Sequence, residues 1–130
     1  MELPIFSVNL IEGMNSPVDV KTEENMDINS YLVKDRPHTF LVKVMGNAMS
    51  RASVYSGDLL FVNCSIKPRS KDLVLAVANR EFMLKRFIRK KNRVFLEKHP
   101  EDISPIEVTS EPGINIWGVV THIVHKFRDT

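Results

Sequence analysis

The segment Glu81-Phe-Met-Leu-Lys-Arg-Phe87 carries one lysine among apolar neighbours. On a strand, Met83, Lys85 and Phe87 share a face. Between those side chains Lys85 is partly desolvated, which disfavours its charged form and lowers its pKa. A neutral amine is a general base for a nearby hydroxyl. The plainer reading is a snorkelling lysine, its stem on the sheet and its head in water. Residue types alone favour that plainer reading. Two other segments bear on the choice. Val44-Met-Gly-Asn-Ala-Met49 reads as a strand running into a glycine turn, and Ser56-Gly-Asp-Leu-Leu-Phe-Val62 as a turn entering a strand.

Other reactive residue types carry less. His38, His99, His122 and His125 have no metal-ligand spacing with carboxylates or with Cys64. His122 and His125 would point to opposite faces of a strand, and all four read as satisfied or solvated rather than as ligands. No metal or cofactor is implied. Cys64 is the single cysteine, so no internal disulfide forms and a reducing compartment is expected. It reads as a small apolar filler near a strand end rather than a reactive thiol.

Short strands must position these groups. Phe40, Val42 and Val44 alternate with Leu41 and Lys43, and Leu59–Val62, Leu73–Ala78, Glu81–Ile88, Val94–Glu97 and Ile116–Val124 follow. Gly57-Asp58 marks a tight turn, Asn79-Arg80 a hairpin, and Lys90-Lys91-Asn92 a second hairpin. Ahead of them, Asp27 is placed to cap a short helix over Ile28–Val33 that stops before Pro37. Residues 1–26 show no period and read as an arm, punctuated by Pro4, Gly13, Asn15, Ser16 and Pro17. The organisation expected is an arm over 1–26 and a mainly β domain over 27–130.

A chain of 130 residues is long enough for one self-supporting core. The net charge of +2 is too mild to argue for nucleic acid by itself. Apolar runs such as Leu73–Ala78 are far too short to span a bilayer. The opening residues have neither a basic n-region nor a long apolar h-region, so no secretory signal is expected. A cytoplasmic protein with no membrane association follows.

The order Gly46-Asn-Ala-Met49, Ser56-Gly-Asp-Leu59, Arg80-Glu-Phe-Met-Leu-Lys85 and Ile116-Trp-Gly-Val-Val-Thr-His-Ile-Val124 resembles the UmuD/LexA family of self-processing proteins, peptidase family S24. Asp27-Ile-Asn-Ser-Tyr-Leu32 resembles that family's short helix ahead of the first strand. The likeness runs from about Gly13 to Phe127 and is strongest to UmuD-like members. It implies a LexA/UmuD C-terminal-domain-like β-ribbon fold with a flexible N-terminal arm. It places Ala48 at the nucleophilic serine and Lys85 at the general base, with Gly46 and Met49 in the oxyanion turn. It also implies that the arm is the substrate, cut between Glu12 and Gly13.

Three departures stand out. Alanine has no hydroxyl, so the chain as written forms no acyl-enzyme at residue 48; Ala48 is either an engineered serine-to-alanine change or a natural loss. Ser50 and Ser53 would present a hydroxyl from the wrong place on a tight turn. Glu12 replaces a small apolar or sulfur side chain, and a charge entering an apolar cleft carries a desolvation cost. Asn47 for aspartate is milder.

The resemblance implies a homodimer, activation by a RecA–single-stranded DNA filament, and a Y-family (UmuC-like) polymerase partner in translesion synthesis during the SOS response. Other readings are a repressor's C-terminal dimerisation domain, against which no helix-turn-helix precedes Gly13, and a signal peptidase, against which no anchor exists. A basic nucleic-acid-binding β module is a third. Lys85, Arg86, Arg89, Lys90, Lys91 and Arg93 would form its patch, although a charged hairpin that keeps an edge soluble explains them better and argues against direct DNA binding. Trp117 reads as core, with a dimer interface as the alternative for Trp117 and Phe127.

Overall fold

The computed structural model describes residues 1–8, 10, 12–13, 20–46, 54–98, 104–108 and 113–128. They form two compact units, Met1–Lys34 and Asp35–Thr130.

In the first unit, β1 (Glu2–Val8) pairs antiparallel with β2 (Val20–Asp27). The helix α1 (Ile28–Leu32) follows, where the sequence predicts it. Asp27 is its N-cap: the carboxylate accepts from Asn29 N at 3.2 Å and from Ser30 Oγ at 3.0 Å, satisfying a donor that the first turn leaves free. The two strands are absent from the sequence expectation, for a physical reason. Their residues are nearly all exposed, so no apolar alternation is required. A register shift between Leu3 and Ile5 also breaks what alternation β1 has.

The second unit is a seven-stranded antiparallel sheet. Its strands are β3 (Thr39–Lys43), β4 (Leu59–Asn63), β5 (Leu73–Ala78), β6 (Glu81–Lys90), β7 (Arg93–Glu97), β8 (Ile106–Glu107) and β9 (Asn115–Val124), in the order β3-β4-β9-β5-β6-β7-β8. The mainly β expectation therefore holds. Asn79 and Arg80 both have positive φ, 50° and 64°, as a two-residue loop matching strand twist demands. Lys91, at φ 57°, turns the next hairpin, closed by the Lys90–Arg93 pair. Only the two-residue β8 was not foreseen, being too short to show a period.

Two core clusters lie on the sheet. Val44, Val54, Leu60 and Val62 form one, and Val74, Ala76, Phe87, Leu96 and Val119 the other. Cys64 departs from its expected filler role: it lies just beyond β4 and is exposed.

β9 enters between β4 and β5 by close approach. A Cβ built on Gly118 would lie 2.5 Å from Val62 Cγ1 and 3.2 Å from Asn63 O. Val62 is fully buried and has little freedom to retreat. Gly118→Ala is therefore expected to cost about 1–3 kcal/mol through overpacking, read as a lower unfolding midpoint in urea with an unchanged slope.

Candidate functional site

β3 and β6 are not neighbours in the sheet, yet together they wall one cleft of about 720 Å³. Phe40 to Met45 line one side and Phe82 to Lys85 the other, with Leu60, Leu75 and Trp117 between them. Aromatic contacts tie the walls together. The Trp117 ring lies 4.5 Å from that of Phe40 and 5.1 Å from that of Phe82, centroid to centroid. Trp117 is 43% exposed, so it lines the cleft rather than filling the core.

Lys85 is half-buried in this wall. It stands opposite the fully buried Val74 on β5, with Met83 and Phe87 two residues away on its own strand face. These described neighbours on its strand face are apolar. Across the cleft, Val44 and Met45 lead to Gly46, whose φ of +82° is a left-handed conformation that suits glycine. Ala48 and Met49 lie outside the described residues, as do Asn47, Ser50 and Ser53. Glu12 and Gly13 belong to the first unit and are exposed, Gly13 at φ +77°.

The strand entering the glycine turn is held by the Ser56-Gly-Asp-Leu segment. Val44 N donates to Asp58 O at 2.9 Å, and Gly57 N donates to Val44 O at 2.8 Å. The Asp58 carboxylate is buried. It accepts from Tyr55 N at 2.9 Å and meets His125 Nδ1 at 2.6 Å. The Tyr55 backbone N–H, followed by His125, holds its pKa below the ordinary aspartate value. His125 lies beyond the end of β9, so only His122 obeys the strand-face expectation. The Asp58–His125 pair escaped sequence reasoning because its members are 67 residues apart. The Gly-Asp turn was the only visible signal.

A second polar group joins Asp35, His38 and Ser65. These are the residue types of a hydrolytic triad, but here the carboxylate sits at the centre. Ser65 Oγ donates to Asp35 Oδ2 at 2.5 Å, and His38 Nδ1 meets Asp35 Oδ1 at 2.9 Å. Ser65, then His38, lowers the Asp35 pKa, so the carboxylate holds the hydroxyl without taking its proton. With Cys64 N donating to His38 O at 3.0 Å, the group fastens the entry to β3 against the exit from β4.

The basic run occupies the β6–β7 hairpin. Lys90 and Arg93 lie over the Phe95 ring at 5.9 Å and 5.3 Å, Arg89 lies 5.6 Å from the Phe87 ring, and Arg93 pairs with Glu107. Among the described residues no cluster of three or more His, Cys, Asp or Glu could hold a metal, and no helix is long and apolar enough to cross a membrane.

A family model for Peptidase S24-like proteins matches residues 4–121. The chain belongs to that family. Within it the chain is UmuD-like. It is 37% identical over 127 residues to Protein ImpA of Salmonella typhimurium, covering 97% of this chain and 86% of that protein. It is 36% identical over 128 residues to Protein SamA of the same species, strain LT2, covering 98% and 88%. A LexA repressor from Geotalea uraniireducens is 37% identical over 108 residues, covering 78% of this chain and 54% of the repressor. The S24 match takes in both walls of the cleft, Lys85 included.

Two outcomes follow for this S24 domain. Asp58 has a depressed native pKa, so its contribution to stability is full well above the unfolded value of about 3.9. It is lost as pH falls through the lower native value. Denaturant titrations from pH 6 to pH 2 should show this decline, and Asp58→Asn should flatten it. On the hairpin, Lys90→Glu combined with Lys91→Glu gives up one exposed ring contact worth roughly 0.5–1 kcal/mol. The melting temperature should fall by only a few degrees, whereas a collapse would mean that these lysines are paired more deeply.

Proposed function

We propose that this chain is a UmuD-like accessory protein of error-prone translesion synthesis in the DNA-damage response, built on a serine–lysine self-cleaving scaffold whose nucleophile position holds Ala48. The observation that carries the reading is the half-buried Lys85, set in the same cleft as the strand that runs through Gly46 towards residue 48. The full-length likeness to ImpA and SamA supports the UmuD-like form over a repressor domain, since the LexA likeness spans a smaller share of both chains. On this reading the protein is a cytoplasmic homodimer that responds to a RecA–single-stranded DNA filament and joins a Y-family polymerase. Its cations serve the hairpin rather than direct DNA binding.

The chemistry belongs to the scaffold and is missing one atom. With a hydroxyl at residue 48, neutral Lys85 takes its proton as the oxygen attacks the carbonyl carbon of Glu12. Backbone donors near Gly46 and Met49 hold the oxyanion. Collapse breaks the bond to Gly13, whose amine takes a proton from Lys85. Water then hydrolyses the ester to free the Glu12 carboxylate. Lys43, at the cleft, offers a charge of opposite sign to Glu12, which offsets part of the cost of bringing a carboxylate to an apolar wall.

Ala48→Ser should restore slow self-cleavage at Glu12-Gly13, faster at pH 10 than at pH 7 because Lys85 must be neutral. Ala48→Ser with Lys85→Ala should be inert. Intact-mass measurement reports the cut. A cut elsewhere would reassign the scissile bond and keep the pair of residues. No cut, even with activated RecA filament, would leave a binding module.

A further inference from the structure

The segment that carries residue 48 is anchored on both sides by one buried residue, Asp58. On its entry side, Val44 exchanges backbone hydrogen bonds with Asp58 and Gly57. On its exit side, Val54 is fully buried, and Tyr55 N donates to the Asp58 side chain at 2.9 Å while Asp58 N donates to Tyr55 O at 3.1 Å. Asp58 therefore joins the two ends of the stretch from 45 to 54, its backbone holding one end and its carboxylate the other. A carboxylate buried in this way needs its remaining lone pairs satisfied, or it moves or takes up a proton. His125 does this with the second oxygen, at 2.6 Å. The imidazole is half-exposed and packs beside Tyr55, ring centroids 5.5 Å apart. Lys43 and Lys126 line the same recess.

On the self-cleaving reading above, we propose that Asp58 and His125 are positioning residues: the chain beyond β9 latches the turn that presents residue 48 to Lys85. His125 acts by fixing Asp58, which fixes Val44 and Tyr55, and so sets the reach of residue 48 across the cleft. Geometry of this kind governs rate steeply, because a displacement near 1 Å at a reacting atom costs on the order of a hundredfold. The device ties the reactive turn to residues 67 positions away in sequence, so the cleft is shaped only when the last strand has docked.

Two variants separate the latch from ordinary packing. His125→Phe keeps a ring against Tyr55 and removes the donor. His125→Asn places an amide N–H where Nδ1 stands. Hydrogen exchange followed by mass spectrometry on the chain with Ala48 is the first measurement. His125→Phe should speed exchange of peptides covering residues 44–58 by tenfold or more, leave β6–β7 peptides unchanged, and be reversed by His125→Asn. The second measurement is self-cleavage in the Ala48→Ser background, where His125→Phe should slow the cut by about tenfold or more and His125→Asn should restore it. Unchanged exchange over 44–58 in His125→Phe overturns the latch, and so does a cleavage rate equal to that of the parent. An Ala48→Ser parent that never cuts overturns the self-cleaving reading instead, and exchange in the Ala48 chain then decides the latch alone.

Discussion

Gly118 has no side chain, and the second unit is built around that fact. A side chain there would press on Val62 and the Asn63 carbonyl where β9 passes them. β9 lies between β4 and β5, and without it the other six strands are two separate ribbons, β3-β4 and β5-β6-β7-β8. The two core clusters also depend on it. Val120 packs on the β3-β4 side and Val119 on the β5-β6 side, so adjacent residues of one strand serve both. The bulge between Phe61 and Val62 lies at the same place, where an extra residue lets the strands bend.

That bend gives the site its character. A flat sheet would hold β3 and β6 far apart, with three strands between them. Here they face each other across a cleft, and Trp117 in the middle strand touches a ring from each wall. Lys85 is thereby left half-buried in one wall of that cleft. On the self-cleaving reading proposed above, that intermediate position suits a base: a lysine in open water stays protonated at neutral pH, and one sealed away reaches no substrate.

Much of this was legible in the sequence because local physics and tertiary demand agree there. Alternation in Phe40–Val44, the apolar run Leu73–Ala78, and the loops Asn79-Arg80 and Lys91-Asn92 are strand and turn signals that the sheet then uses. Lys85 could be singled out because Met83 and Phe87 flank it and because Arg80-Glu-Phe-Met-Leu-Lys85 resembles the family pattern. What stayed hidden lacks a local signature. β1 and β2 bury little, so their composition is that of a loop. Cys64 resembles a core filler by type but lies past the strand end. Trp117 is apolar by type but its sheet curves, which turns a core position into a cleft wall. The Asp58–His125 and Asp35–Ser65 contacts join residues far apart in sequence, and spacing carries no information about them.

The order of the strands also sets a schedule for synthesis. β4 and β5 are complete once residue 78 has been made, but the strand that belongs between them is residues 115–124. On a ribosome the hairpins β3-β4 and β5-β6-β7 emerge first and wait, each with an unpaired edge that β9 will cover. Such edges are templates for pairing with other chains. A nascent chain halted before residue 115 is therefore a cohesive species rather than half of a folded domain, and its safety rests on how quickly the last strand arrives.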